Sequence, residues 1–381
     1  MRVLFIGHNG YGYPHTRVRC YHFARALAAL PGIETAVLSF RDDLAPHKSE
    51  AAMYDNLRDR DKLVLTGKAA FRLLGERNTL LYIQKAHFHA AAPYLLHRLG
   101  WLPRYVLDYD DYDIPLSNFF GRGLWNQIFF GSRRWDEITF RLARQAMGCV
   151  AASHELVNLL REHNPRVEFI PTGVDGEVFS PPASRPARDR LVFLWNGLVW
   201  GPPIVHNLML LFRAFQRALP RISHAGLRIV GGGAEWEAIR ARTANEFPGV
   251  PAEWLDWVDP HEMPGLLRDV DVGLLPAAGD DLWLKCKSPT KMYEYMAAGL
   301  PVIATAEGEA VYALRHLESG YLADDETVFA EGIVQLANDP ALRHRLGQGA
   351  RKRVEAEYAL DVLAPRLYRF LRELDRREDL H

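Results

Sequence analysis

Short apolar runs alternate with longer helical patterns along the chain, and this alternation constrains the fold more than any other feature. Strands that alternate with helices in sequence normally form parallel sheets, so the sequence predicts an α/β fold. In the first half, the predicted strands are residues 3–6, 35–38, 80–83, 105–107, 150–152 and 167–170. In the second half, they are residues 191–194, 227–230, 254–258, 272–275 and 302–304.

The chain has 381 residues, which is long enough for two domains with separate cores. Residues 176–190 contain Pro181, Pro182 and Pro186 and predict a linker, because proline is excluded from helix interiors. We therefore predict a first domain over residues 1–175 and a second over 191–359. Residues 41–79 are polar with weak periodicity and predict a long excursion that binds an acceptor.

The composition excludes several classes of protein. A net charge of −1 is not that of a dedicated nucleic-acid binder. Cys20, Cys149 and Cys286 are too scattered for a disulfide framework or a zinc site, and they predict a reducing compartment. No apolar run approaches the length that spans a bilayer. We expect a cytoplasmic protein.

The segment 283–305 contains the strongest candidate binding site. Cations there precede a helix that carries Glu294, and a helix start together with cations suits a diphosphate. Ser288 or Thr290 is predicted to cap this helix, and Glu294 is placed to accept hydrogen bonds from ribose hydroxyls. A solvated basic turn before an ordinary helix is the alternative. The predicted diphosphate-site residues are Lys285, Lys287, Ser288, Pro289, Thr290 and Lys291.

This segment resembles the signature of the retaining GT-B glycosyltransferases of the large family 4, the glycosyl transferases group 1. The turns 171–175 and 231–233 are also similar to motifs of that family. The resemblance covers most of the chain, being strongest over 167–360 and weak over 41–79. It implies two Rossmann-like domains facing across a cleft, with residues 360–381 crossing back to the first domain.

The same resemblance implies an activity. A sugar would move from a nucleotide-diphosphate-sugar donor to an acceptor hydroxyl with retention of configuration, without a cofactor or a metal ion. The acceptor is left open among glycans, lipid-linked acceptors and small molecules. The remaining predicted donor-binding residues are Gly12, Arg17, Asn196, Gly197, Gly232, Trp257 and Val258.

Two of these predictions have plain structural alternatives. The turn with Gly10 and Gly12 allows a phosphate or sugar to approach the backbone, but it also suits a tight turn with no ligand. Arg17 and Arg19 follow, and either one of them reaches a diphosphate or both are solvated. Trp257 either contacts a nucleotide base or lies in the core.

An acidic run, residues 108–113, follows a predicted strand. One interpretation is a metal-binding Asp-x-Asp motif, which the GT-B resemblance of the rest of the chain disfavours. In the resembled family a catalytic histidine commonly follows this strand, and here Asp110 or Asp111 takes its place. Such a carboxylate would orient an acceptor hydroxyl or stabilise positive charge on the sugar ring. The alternative is that these aspartates only cap and stabilise a turn. The predicted catalytic residues are Asp110, Asp111 and Lys287.

Two departures from the family pattern favour an alternative function. Cys286 stands where the family has a glutamate for the donor sugar, and the family's histidine after the strand 105–107 is missing. Separately, Leu198–Gly201 stand where many members have an arginine and a lysine, so Lys285, Lys287 and Lys291 would have to supply that charge. The alternative is an inactive GT-B protein that binds a nucleotide sugar or a partner. A dinucleotide oxidoreductase is a second alternative, disfavoured because the first turn lacks Gly-x-Gly-x-x-Gly.

Residues 119–145 mix aromatic and basic side chains, which is typical of peripheral contact with an anionic membrane or a lipid-linked acceptor. A helix that packs on its own domain with its arginines in solvent is the alternative. The side chains concerned are Phe119, Phe120, Trp125, Phe129, Phe130 and Trp135, with Arg122, Arg133, Arg134, Arg141 and Arg144.

Overall fold

The computed structural model describes residues 1–55, 57–102, 104–112, 124–182, 189–279 and 282–378. Over these residues the strands form two six-stranded sheets whose neighbouring strands run parallel, which confirms the predicted α/β class. The chain divides into two compact units. Unit 1 comprises Met1–Gly173, Cys286–Ser288 and Leu360–His381, and unit 2 comprises Val174–Lys285 and Pro289–Ala359.

The sheet of unit 1 has the strand order β2-β1-β3-β4-β5-β6. Its strands are β1 (Arg2–Gly7), β2 (Glu34–Ser39), β3 (Leu80–Gln84), β4 (Tyr105–Tyr109), β5 (Gly148–Ala151) and β6 (Val167–Phe169). The strands β3, β4 and β5 are buried throughout, because helices cover both faces of a parallel sheet. Since β1, β3 and β4 are neighbours, the residues that follow them meet at one edge.

The helices of unit 1 pack on both faces of this sheet. Its α-helices are Pro14–Thr16, Phe23–Ala28, Glu50–Asp55, Asp59–Leu73, Ala91–Arg98, Leu124–Phe130, Trp135–Gln145, His154–Arg161 and Leu360–Glu378. Arg17–His22 and Phe40–Leu44 are π-helical, and Phe88–Ala90 is a 3₁₀ turn. The Leu360–Glu378 helix buries Leu363, Leu367 and Leu371 against the cluster that contains Phe5 and Phe23.

Residues 41–79, predicted as a long excursion, are largely helical in the structure, and their role in binding an acceptor stays a prediction. The segment contains a 15-residue helix, Asp59–Leu73. Leu65, Ala69 and Leu73 are buried at helical spacing, but the exposed Leu63 and Phe71 on the same helix obscured that period in the sequence.

The described aromatic residues between 124 and 145 pack within unit 1. Trp125, Phe130 and Trp135 are buried in its core, and Arg134 pairs with Asp136 at the surface. For these side chains the structure matches the alternative of a helix packed on its own domain. Phe119, Phe120 and Arg122 lie outside the described residues. Within the described ranges, no helix is long and apolar enough to cross a membrane.

The sheet of unit 2 has the strand order β12-β11-β10-β7-β8-β9. Its strands are β7 (Leu191–Leu198), β8 (Ala225–Gly232), β9 (Ala252–Leu255), β10 (Val272–Leu275), β11 (Val302–Thr305) and β12 (Tyr321–Ala323). The strand predicted at 254–258 is Ala252–Leu255 in the structure, where its pairing with β8 ends at Leu255. The next residue, Asp256, accepts a hydrogen bond from Trp236 Nε1. The sequence analysis missed β12, whose three residues are too few for a periodic pattern.

The helices of unit 2 follow its strands in the usual alternation. They are Pro202–Ala218, Trp236–Glu246, Met263–Leu267, Leu282–Lys285, Thr290–Ala297, Ala310–Ala313, Glu326–Asn338 and Pro340–Glu357, with a 3₁₀ turn at Leu219–Arg221. Within the linker predicted at 176–190, residues 183–188 lie outside the described part of the chain.

The tripeptide Cys286–Ser288 belongs to unit 1, whereas the predicted boundaries put it in the second domain. Two interactions explain this difference. Cys286 is buried in a core cluster of unit 1. Ser288 accepts a hydrogen bond from the Thr172 backbone N–H through its hydroxyl (3.0 Å), and from the Thr172 hydroxyl through its carbonyl oxygen (3.3 Å).

Candidate functional site

Charged side chains meet where β3 and β4 of unit 1 end. In the sheet register Gln84 lies opposite Asp108, so Lys85 and Asp110 leave the sheet as neighbours. The Lys85 backbone N–H donates to the Asp108 carbonyl oxygen at 2.8 Å. Its ammonium lies 3.3 Å from Asp110 Oδ1, and both side chains are buried. The predicted catalytic Asp110 therefore has a cationic partner.

Lys85 was not predicted from the sequence. Its backbone has φ of 61°, a left-handed conformation that costs a residue with a Cβ about 1–2 kcal/mol. A strained residue directly after a buried strand is a mark of functional sites. One feature of the sequence could have indicated it. A lysine follows the apolar run 80–83 closely, just as the acidic run follows the next predicted strand.

Lys287 contributes a second cation to this part of unit 1. The residue as a whole is half-buried, but desolvation of its ammonium lowers the Lys287 pKa to about 8. The Asp111 carboxylate acts in the opposite direction and raises this pKa, while the Lys85 ammonium lowers it further. We call Lys85, Asp110, Asp111 and Lys287 the charged cluster. It brings the three predicted catalytic residues together; their chemical roles stay a prediction.

The turn after β1 binds carboxylates of its own chain. The Gly10 N–H and the Asn9 side-chain amide donate to Glu50 Oε2 at 3.0 and 2.9 Å, and the Tyr11 N–H donates to Asp42 Oδ2 at 2.8 Å. A Cβ on Gly10 would collide with Asp42 Oδ1. The turn thus has the anion-binding geometry expected from its sequence, with two carboxylates as its partners in this structure.

The two arginines after this turn are buried in the described structure, so the interpretation that both are solvated is wrong. Arg17 Nη1 donates to the carbonyl oxygens of Tyr11 and Gly12, each at 3.4 Å, and thereby holds the exposed Gly12 in place. Arg19 makes a two-bond pair with Asp108 (2.6 and 2.9 Å) and also donates to the Ile170 carbonyl oxygen. Arg19 therefore stabilises the core of unit 1.

Unit 2 presents its predicted nucleotide-binding residues at the ends of β7 and β8 and on one helix. The Tyr295 hydroxyl donates to Asn196 Oδ1, and the Asn196 N–H donates to the Tyr295 oxygen at 3.2 Å. The Lys291 ammonium lies 4.3 Å from the centroid of the Trp195 ring, a cation–π distance. Lys291 thus lies beside Gly197, where an added Cβ would come within 2.8 Å of its Nζ.

The start of the Thr290–Ala297 helix differs from the prediction. Pro289 is its N-cap and supplies no side-chain capping bond, so the predicted cap by Ser288 or Thr290 is wrong. The Ser288 hydroxyl is instead engaged with Thr172. Lys291 is the second residue of the helix and does not precede it. Glu294 is half-buried on the same helix, about one turn after Lys291.

The remaining predicted residues lie on the periphery of unit 2. Lys285 is half-buried and ends the Leu282–Lys285 helix. Trp257 and Val258 lie in the loop after β9. Trp257 is 47% exposed, so the alternative of a core tryptophan is wrong. Its role in base contact stays a prediction.

Two adjacent glycines at the end of β8 give a paired test of this site. A Cβ on Gly231 would collide with the Gly197 backbone carbonyl oxygen, whereas a Cβ on Gly232 would meet open space. We expect Gly231→Ala to lower the free energy of unfolding by about 1–3 kcal/mol, because backbone cannot rotate away as a side chain does. Gly232→Ala should leave stability unchanged. Urea unfolding of both variants measures this difference, and equal stabilities would contradict it.

Comparison with known proteins gives one matching family. Residues 191–339 match the model of the family described as Glycosyl transferases group 1. A GDP-mannose-dependent alpha-(1-6)-phosphatidylinositol monomannoside mannosyltransferase of Mycobacterium tuberculosis (strain CDC 1551 / Oshkosh) is 29% identical over 54% of this chain and 56% of the relative. A D-inositol 3-phosphate glycosyltransferase of Stackebrandtia nassauensis is 30% identical over 51% of this chain and 46% of the relative. The chain thus spans about half the length of these curated relatives.

Solved structures resemble the chain over nearly its whole length. Sucrose-phosphate synthase (tll1590) from Thermosynechococcus elongatus superposes with a TM-score of 0.72 at 17% identity and covers 98% of both chains. Anabaena Alr3699/HepE in complex with UDP has a TM-score of 0.71 at 14% identity, covering 98% of this chain and 100% of that one. At such identities the similarity concerns the fold, and it confirms the predicted GT-B class of two Rossmann-like domains.

Proposed function

We propose that this chain transfers a sugar from a nucleotide-diphosphate-sugar donor to an acceptor hydroxyl. Support comes from residues 191–339, which match the model of the glycosyl transferases group 1 family. The charged cluster of unit 1 is the observation that carries the proposal beyond the fold. Two lysines and two aspartates gather there at the end of a parallel sheet, where α/β enzymes place their reacting groups.

In the proposed reaction, the bond between the anomeric carbon and the diphosphate oxygen breaks, and the bond from that carbon to the acceptor oxygen forms. The leaving diphosphate gains negative charge. Lys287 stabilises that charge, and its partly desolvated ammonium makes the interaction stronger than it would be in water. For Lys285 and Lys291 of unit 2, and for the first turn of the Thr290–Ala297 helix, contact with the diphosphate stays a prediction.

The carboxylates of the cluster act on the other partners. Asp110 or Asp111 orients the acceptor hydroxyl, or stabilises the positive charge that builds on the sugar ring. With retention of configuration, the acceptor approaches on the face that the diphosphate leaves. A phosphate oxygen then takes the acceptor proton, so that no separate base is required.

The inactive-protein alternative rests on the missing histidine and on Cys286, and Cys286 is fully buried in the core of unit 1. Cys286 therefore supplies no polar contact to a sugar. Its replacement of a glutamate changes how the donor sugar is held, but the charged cluster favours transfer over binding alone.

We propose a hydroxyl of a polyol phosphate, free or lipid-linked, as the acceptor class. Support comes from the curated relatives, whose names specify a phosphatidylinositol monomannoside and D-inositol 3-phosphate. For the base of the donor nucleotide we propose guanine or uracil. One relative is GDP-mannose-dependent, and one structural neighbour was solved in complex with UDP.

Calorimetric titration with UDP, GDP, dTDP, ADP and NAD tests the donor side. Tight binding of one nucleoside diphosphate, followed by transfer from its sugar conjugates to polyol phosphate acceptors, is the expected result. Binding of NAD alone would revive the oxidoreductase alternative. Binding of a nucleotide sugar without transfer or hydrolysis would favour the inactive alternative.

The reaction is expected to slow above about pH 8. Desolvation lowers the Lys287 pKa to about 8, so the ammonium is charged below that pH and loses its proton above it. Because Asp111 raises this pKa, Asp111→Asn should move the alkaline limb of kcat/KM to lower pH. The measurement is a pH–rate profile of both proteins. A limb that stays in place in Asp111→Asn would contradict the assignment to Lys287.

A further inference from the structure

Lys85 has no role in the reaction as described so far. Its φ of 61° lies in the region that favours glycine or asparagine, yet the chain has a lysine there. Its side chain is about as buried as that of Asp110, which pairs with it at 3.3 Å. A lysine at this position costs free energy twice, through its left-handed backbone and through the burial of its charge. We therefore look for a function that offsets both costs.

The Lys85 ammonium is not needed to hold the strands of the sheet together. The Lys85 backbone N–H already ties the end of β3 to the Asp108 carbonyl oxygen. The Asp108 side chain is fixed by Arg19 through two further bonds. A buried ion pair also adds little stability, because the loss of hydration offsets most of the attraction between its charges. Deleting the ammonium would therefore leave the strands joined.

The position of Lys85 within the charged cluster indicates what it does. Its ammonium pairs with Asp110 and also lowers the pKa of Lys287, which the Asp111 carboxylate raises. The cluster thus alternates two cations with two carboxylates. Asp110 lies directly after β4, beyond the last paired residue, so its side-chain direction is not set by the sheet. Lys85 is the partner that sets it.

We propose that Lys85 is a positioning residue that holds the Asp110 carboxylate toward the acceptor hydroxyl, an assignment that rests on the transferase function proposed above. Lys85 itself makes no bond to the substrates. Its left-handed backbone turns the side chain across the end of β4, where an unstrained backbone would lead it elsewhere.

A double-mutant cycle on kcat tests this role. Lys85→Met and Asp110→Asn should each lower kcat about 10²-fold, the cost of a misplaced reacting group. The double variant should be no slower than the slower single variant, because Lys85 acts through Asp110. Lys85→Arg should recover part of the loss. The matched control is Lys68→Met, which removes a surface lysine bonded only to the Leu44 carbonyl oxygen among its described contacts and should retain full turnover.

Three readouts separate positioning from a structural role. The KM for the donor should stay unchanged in Lys85→Met, and thermal unfolding should show a folded protein. The alkaline limb of kcat/KM should move to higher pH, because Lys85 no longer repels the Lys287 ammonium, which then faces Asp111 alone. If Lys85→Met does not fold, the Lys85→Arg variant with Asp110→Asn supplies the same cycle.

The possible failures are distinct. Equal kcat in wild type and Lys85→Met, or fully additive losses in the cycle, would overturn the positioning role alone. A wild-type protein that neither transfers nor hydrolyses any nucleotide sugar would overturn the transferase proposal, and the role of Lys85 with it.

Discussion

Replacement of Lys287 by methionine is expected to lower kcat about 10³-fold, the usual loss when one donor to a developing negative charge is removed from an enclosed site. Methionine keeps most of the side-chain volume and removes the charge. The ammonium of Lys287 is the partly desolvated cation of the charged cluster, so its interaction with a leaving diphosphate is little screened by water. Lys287→Arg should recover part of the activity.

The same substitution should not weaken the fold. The Lys287 pKa is lowered from 10.5 to about 8, so the unfolded chain holds this proton more tightly than the folded one. At pH 7 the charged lysine therefore makes folding less favourable, and methionine removes that cost. We expect an unchanged or raised Tm. A variant with lowered Tm and unchanged kcat would make Lys287 a structural residue and end its assignment to the diphosphate.

Glu294→Ala is expected to weaken the binding of the preferred nucleoside diphosphate by about 10²- to 10³-fold, the value of two hydrogen bonds to a charged acceptor. Glu294 is half-buried on the Thr290–Ala297 helix. Loss of both ribose hydrogen bonds should raise the Kd of UDP or GDP alike, because the ribose is common to both.

Calorimetric titration measures this effect directly and does not require an acceptor. Glu237→Ala provides a matched control, since Glu237 is an exposed glutamate in the first turn of another helix of unit 2. It should bind the nucleotide like wild type. An unaltered Kd in Glu294→Ala would remove Glu294 from the ribose site, while the diphosphate role of Lys287 would still stand.

Residues with local signals were placed correctly from the sequence. The strands β3 and β4 are apolar throughout because both their faces are covered, and a continuous apolar run shows this without knowledge of the partners. The turn with Gly10 was also placed from its sequence, and its N–H groups bind Asp42 and Glu50 in this structure, while contact with a phosphate or sugar stays a prediction. The helix with Glu294 was found from its lysines and its apolar spacing.

Residues whose contacts come from distant segments of the chain were not placed correctly from the sequence. Arg19 is followed by ordinary helical sequence, and nothing near it shows that Asp108 will neutralise it in the core. The helix Asp59–Leu73 was missed because its exposed apolar side chains mask the buried face. Ser288 was taken for a helix cap because its neighbours in sequence suggest one, while Thr172 holds it in the structure.

The sequence by itself therefore determined the α/β class and most of the strands, because these depend on patterns a few residues long. It also predicted three of the four residues of the charged cluster, Asp110, Asp111 and Lys287. Only the tertiary structure decided how those charges are grouped. The order of the strands brings Lys85 beside Asp110, and the bonds between Ser288 and Thr172 anchor Lys287 within unit 1. Pairing across a sheet depends on which strands become neighbours, and the free energy of burying the whole core sets that choice.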